Sequence, residues 1–162
     1  MAAALLAAGP AMAGAGDPKS LGDFGQWKAY AYTQGGGKVC YATAAADRPQ
    51  GGAKGREPTY LAVTHQPKSP GEVSLIGAYG FKKQSDAELQ VGATKHTFFT
   101  KEGSAWAKQA ESDKAIVAQL AKGREAIIHA IPAKGPPITD TITLNGFGKA
   151  LAAIDKACEV KR

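Results

Sequence analysis

Eight short stretches of alternating apolar and polar residues, each cut off by glycine, proline or a polar turn, constrain this chain more than any other feature. They run 24–32, 38–44, 59–66, 72–79, 87–91, 94–100, 124–131 and 138–144. A period of two buries one face of each strand, so eight of them predict an antiparallel sandwich or barrel. Gln34-Gly35-Gly36-Gly37 and Gly92-Ala93 are short enough to close hairpins between neighbours. The triple glycine is not followed by a helix start with Lys-Ser/Thr, which argues against a phosphate cradle. The stretch 45–58, punctuated by Pro49, Gly51, Gly52 and Gly55, reads as a long, polar, mobile loop and a contact or nicking site.

Two segments change period. In 112–122, Ile116, Val117 and Leu120 fall on one helical face and Gly123 supplies a stop. After Asn145, read as an N-cap, Phe147, Leu151, Ile154 and Cys158 form a second apolar stripe. Both predict short helices laid on the sheet. With 162 residues, 44% hydrophobic and 21% charged, the chain has the size and profile of one folded domain, expected over 14–162. Residues 1–13 carry no charge, hold the apolar run Ala2 to Ala8 and end in Ala11-Met12-Ala13. They read as a signal peptide lacking its basic start, the alternative being an alanine-rich tail. No stretch approaches the ~20 apolar residues of a membrane-spanning helix.

Cys40 and Cys158 are the two cysteines, 118 positions apart. In an exported protein such a pair is expected to be oxidised, the alternative being two buried, inert thiols. His65, His96 and His129 lie singly in three predicted strands without the spacing that presets two metal ligands on one face. Strand parity groups His65 with Leu61 and Val63, and His129 with Ile127 and Ile131, which predicts partly buried structural histidines. No metal or other cofactor is expected. Neither G-x-S-x-G nor S-x-x-K occurs. Asp140 falls on the apolar parity of Ile138 and Ile142, a placement that reads as a bend cap or a partner for a neighbouring lysine more readily than as a catalytic group.

Twenty Lys and Arg against fourteen Asp and Glu give +6. The basic residues are scattered, without the aromatic-interleaved stripe of a nucleic-acid site. Lys54, Arg56, Lys82 and Lys83, on predicted loops, are the candidate surface contacts to an anionic partner; simple solubility is the competing reading of the same charge.

Phe24-Gly25-Gln26-Trp27, Lys38-Val39-Cys40-Tyr41-Ala42, Phe98-Phe99-Thr100 with Ala105-Trp106, Thr139-Asp140-Thr141, and Gly146-Phe147 through Ala157-Cys158 together resemble the invasion-associated locus B family of exported alphaproteobacterial proteins. The resemblance implies an immunoglobulin-like antiparallel β-sandwich with two added short helices. It also implies a periplasmic, outer-envelope or secreted location and a link to host-cell association in pathogenic members. No catalytic residue follows from it. The expected role is a non-enzymatic envelope protein binding a macromolecule, such as an anionic envelope or host surface. A small hydrolase or metalloprotein and a purely structural envelope component are the competing readings.

Overall fold

The computed structural model describes residues 16–162; the segment read as a signal peptide lies outside them. Eleven strands form the sheet: β1 (Lys19–Phe24), β2 (Trp27–Gln34), β3 (Gly37–Ala45), β4 (Arg48–Gly51), β5 (Tyr60–Gln66), β6 (Ser69–Ile76), β7 (Asp86–Val91), β8 (Thr94–Lys101), β9 (Ser104–Ala107), β10 (Glu125–Ala130) and β11 (Ile138–Thr143). They pair antiparallel in the order β1-β2-β3-β5-β6-β9-β8-β7-β10-β11-β4. The helices are α1 (Ala110–Lys122) and α2 (Phe147–Ala157). The fold is mainly β, antiparallel and sandwich-like, with two short helices, as expected.

Alternation explains the layering. On β10, Ala126, Ile128 and Ala130 point inward and are buried while Ile127 and His129 face outward; β11 repeats the pattern with Ile138, Asp140 and Ile142 inside. The inner face of β2 and β3 is built of alanines, Ala29, Ala31, Ala42 and Ala44, and this thin floor leaves room for α2. That helix lays Phe147, Ala150, Leu151 and Ile154 into the core, and Phe147 meets the fully buried Trp27 edge-on at 4.9 Å. The Trp27 indole N–H donates to the Thr143 carbonyl at 3.0 Å, so the buried ring has its polar partner.

Asn145 does not cap α2. The N-cap is Gly146, in the left-handed region at φ 96°, and no side chain caps the helix. A β-carbon at Gly146 would collide with the Phe24 carbonyl, so close approach to the β1–β2 turn demands glycine there.

Three of the eight expected strands start later than predicted, at Trp27, Tyr60 and Glu125, and three strands, β1, β4 and β9, were not expected. Phe24–Tyr32 divides into the ends of β1 and β2 at the Gly25 turn. The stretch 45–58 is not a free loop: β4 within it pairs with β11, from Arg48↔Thr141 to Ile138↔Gly51. Asp47 secures the crossing from β3, accepting the Thr143 N–H and hydroxyl at 2.8 Å each.

Candidate functional site

At the end of β5 that follows Thr59, four irregular segments meet. The chain after β6 folds back so that the Phe81 N–H donates to Glu102 O (2.7 Å) and the Gly77 N–H to Gly103 O (2.8 Å), joining it to the β8–β9 turn. The Lys82 N–H donates to Ile131 O and the Ala133 N–H to Gly80 O, both at 2.8 Å, adding the β10–β11 connection. That connection in turn runs against 51–56, where a β-carbon on Gly135 would sit 3.1 Å from the Ala53 nitrogen.

Asp140 holds this end together. Fully buried, it accepts from the Arg56 guanidinium with both oxygens (2.5 and 3.0 Å) and, on Oδ2, from the Thr59 N–H (2.9 Å) and hydroxyl (2.8 Å). The Gln50 N–H adds a longer bond at 3.2 Å. Burial pushes the Asp140 carboxyl up, but the bonds from Arg56 and Thr59 outweigh it and hold the group below the usual carboxylate range. Arg56 also lies over the Tyr79 ring, 5.6 Å from its centroid, and donates to the Gly51, Gln50 and Glu57 carbonyls. Tyr79 OH is 2.8 Å from Thr59 Oγ1; burial pushes its phenol up to about 12.

Arg56 therefore leaves the set of expected surface contacts: its side chain is only 6% exposed, because its charge is consumed by Asp140. Lys54, Lys82 and Lys83 do stand in solvent on the assembled loops, and Lys134 and Lys101 are exposed beside them. Glu57 and Glu102 are the exposed acids among the same loops. Ile76 and Ile131, 41% and 40% exposed, add apolar surface. Lys134 and the Arg56–Asp140 pair were missed from sequence, although the parity of Asp140 signalled a buried partner.

At the far end of β5 the chemistry differs. Cys40 and Cys158 form a disulfide, tying β3 to the end of α2. Next to it in register lies His65, whose two ring nitrogens are both engaged. The Gly71 N–H donates to Nδ1 at 2.9 Å, so the proton sits on Nε2 and is donated to Asp155 Oδ1 at 2.6 Å. Arg162 closes the set with bonds of 2.6 and 3.2 Å to Asp155. A histidine bound on both sides has no nitrogen left to act as a base. Among the described residues no three His, Cys, Asp or Glu side chains converge as a metal site.

The sequence profile described as Invasion associated locus B (IalB) protein matches residues 27–155. The chain belongs to this family. The family's resemblance segments meet in space: Phe24-Gly25 abuts Asn145-Gly146, and Trp27 packs on Phe147. Among solved structures, this IalB chain is similar to invasion associated protein B from Bartonella henselae, with TM-score 0.65 and 22% identity over 87% of this chain and 97% of that one. At that identity the likeness speaks for the fold. No curated protein sequence matches.

Proposed function

We propose that this IalB-family protein is an exported, non-enzymatic component of the cell envelope, periplasmic or surface-located, that binds an anionic macromolecule through its assembled loop end. One observation carries the reading: Lys54, Lys82, Lys83 and Lys134, dispersed in sequence, stand exposed on loops that hydrogen-bond and pack together at one end of the sandwich. Rigidly held loops with a surplus of one charge form a contact surface whose geometry is fixed before binding. Export is supported by the disulfide, which persists in oxidising compartments, and by the A-x-A segment at 11–13. The partner is an anionic envelope polymer or a host surface, the latter in keeping with the name of the Bartonella relative. A non-catalytic role fits the groups that could do chemistry, since Asp140 is neutralised by Arg56 and His65 is bonded on both nitrogens.

The test compares the wild type with the triple variant Lys54→Ser, Lys82→Ser, Lys83→Ser on dextran sulfate and on uncharged dextran across a salt series. Arg56 is left intact because its loss would disturb the fold rather than the surface. The wild type is expected to be held by the sulfated matrix alone and to elute as salt rises, since exposed charges are screened over about 8 Å at physiological ionic strength. The variant should elute at lower salt. Equal elution of the two, or retention indifferent to salt, overturns the proposal.

A further inference from the structure

We propose that the cleft between Ile76, the 77–83 loop, the β8–β9 turn and Ala133 is a binding site for a single-chain anionic amphiphile, an acyl chain ending in a carboxylate. The inference goes beyond the polyanion contact and shares with it only Lys82 and Lys83.

The cleft has a volume of about 720 Å³, within the range of small-molecule sites. Its two walls meet where glycines let the backbones come close. Gly77 and Gly103 lie backbone to backbone, and a β-carbon on Gly103 would stand 3.1 Å from the Gly77 carbonyl oxygen. Five backbone donors of the walls are spent on these and neighbouring loops: the N–H groups of Gly77, Gly80, Phe81, Lys82 and Ala133 all donate to carbonyls there. What remains facing the cavity is largely carbon, from Ile76, Ala78, Phe81 and Ala133. Those five donors are closed to an extended peptide, whereas an alkyl chain requires none.

Charge selects the head group. Lys82 and Lys83 line the cleft and are exposed, against the single acid Glu102. A carboxylate at the rim meets two ammonium groups while the chain occupies the apolar floor. A bilayer surface fits less well: its binding needs a broad apolar face, and the large exposed apolar side chains here, Ile76 and Ile131, stand singly among charged loops.

The experiment is a calorimetric titration of the wild-type protein with octanoate, decanoate and dodecanoate below their micellar concentrations, beside decanol. Two variants accompany it: Ala78→Trp, which fills the cleft from an exposed position, and Lys82→Ser with Lys83→Ser, each checked for an unchanged melting profile. Affinity is expected to rise about fourfold per methylene, with decanol at least tenfold weaker than decanoate. Ala78→Trp should abolish binding of every chain yet leave salt-dependent retention on dextran sulfate intact. The lysine variant should bind decanoate and decanol alike. Absence of decanoate binding, affinity independent of chain length, or binding unchanged by Ala78→Trp overturns the inference, and in each case the dextran sulfate result stands on its own. Tight association with phosphatidylglycerol vesicles by a protein that ignores the free acids overturns it in favour of a bilayer surface.

Discussion

The two ends of β5 solve one problem with different chemistry. At the Thr59 end, irregular chain is fastened to the sheet by a buried ion pair, Arg56 with Asp140, and its satellite bonds to Thr59. At the His65 end, α2 is fastened to β3 by a covalent bond, with the His65–Asp155–Arg162 set beside it. A disulfide acts mainly on the unfolded chain and is indifferent to protons, but a reductant removes it. A buried ion pair acts in the folded state; it ignores reductants and fails when its carboxylate is protonated. The loop end is thus proton-sensitive and the helix end redox-sensitive.

The sharpest way to break this comparison is Asp140→Ala. Removing one partner strands a buried guanidinium, and a loss of about 3–5 kcal/mol is expected in urea unfolding, unchanged by reductant. A loss under about 1 kcal/mol would mean that the pair is not the fastening. Replacing Cys40 and Cys158 by Ser should cost about 2–4 kcal/mol, with reductant inflicting the same loss on the wild type and none on the variant. Because the ends are far apart, combining these changes should give additive losses to within about 0.5 kcal/mol.

Titration separates the ends further. Asp140 has its carboxyl lowered in the fold, so the stability it contributes is present above the unfolded carboxylate pKa of about 3.9 and lost as pH falls below it. A plot of melting temperature against pH should show this acid limb in the disulfide-free variant and a weaker one in Asp140→Asn. Tyr79 has the opposite sign. Its folded phenol keeps its proton up to about 12 while an unfolded tyrosine ionises near 10, so stability is intact below about pH 10 and declines from there towards 12. Tyr79→Phe should remove that alkaline limb and cost about 1 kcal/mol at neutral pH through the lost bond to Thr59. The smallest effect belongs to Arg162→Ala, within about 1 kcal/mol, because its side chain is 41% exposed and an ion pair in water is weak.

Sequence patterning revealed eight strands, and the three it missed bury one residue or none. β4 reads Arg-Pro-Gln-Gly with every residue exposed, so it leaves no apolar trace; its proline is tolerated because it lies at the sheet's edge. β1 breaks its register around Gly22, and β9 is four residues long. The disulfide was legible because two cysteines leave one pairing. Arg56 was misplaced because its partner is 84 residues away and its own surroundings, Gly55 and Glu57, look like open loop. The better clue was Asp140 itself: a carboxylate flanked in parity by Ile138 and Ile142 needs a buried cation or strong donors, and stretch 45–58 held two arginines, Arg48 and Arg56.

The pairing of β4 with β11 also bears on the order in which the molecule can be made. Thr141 and Arg48, neighbours in the sheet, are separated by most of the chain between them, and the same late strand delivers Asp140 to Arg56. Closing so long a loop is slow and yields nothing until the distant strand arrives. The β2–β3 and β7–β8 hairpins need no such wait. The lysine-bearing end is therefore expected to gain protection from hydrogen exchange later than these hairpins during refolding, and a chain stalled before β11 docks would carry the exposed lysines without the surface they compose.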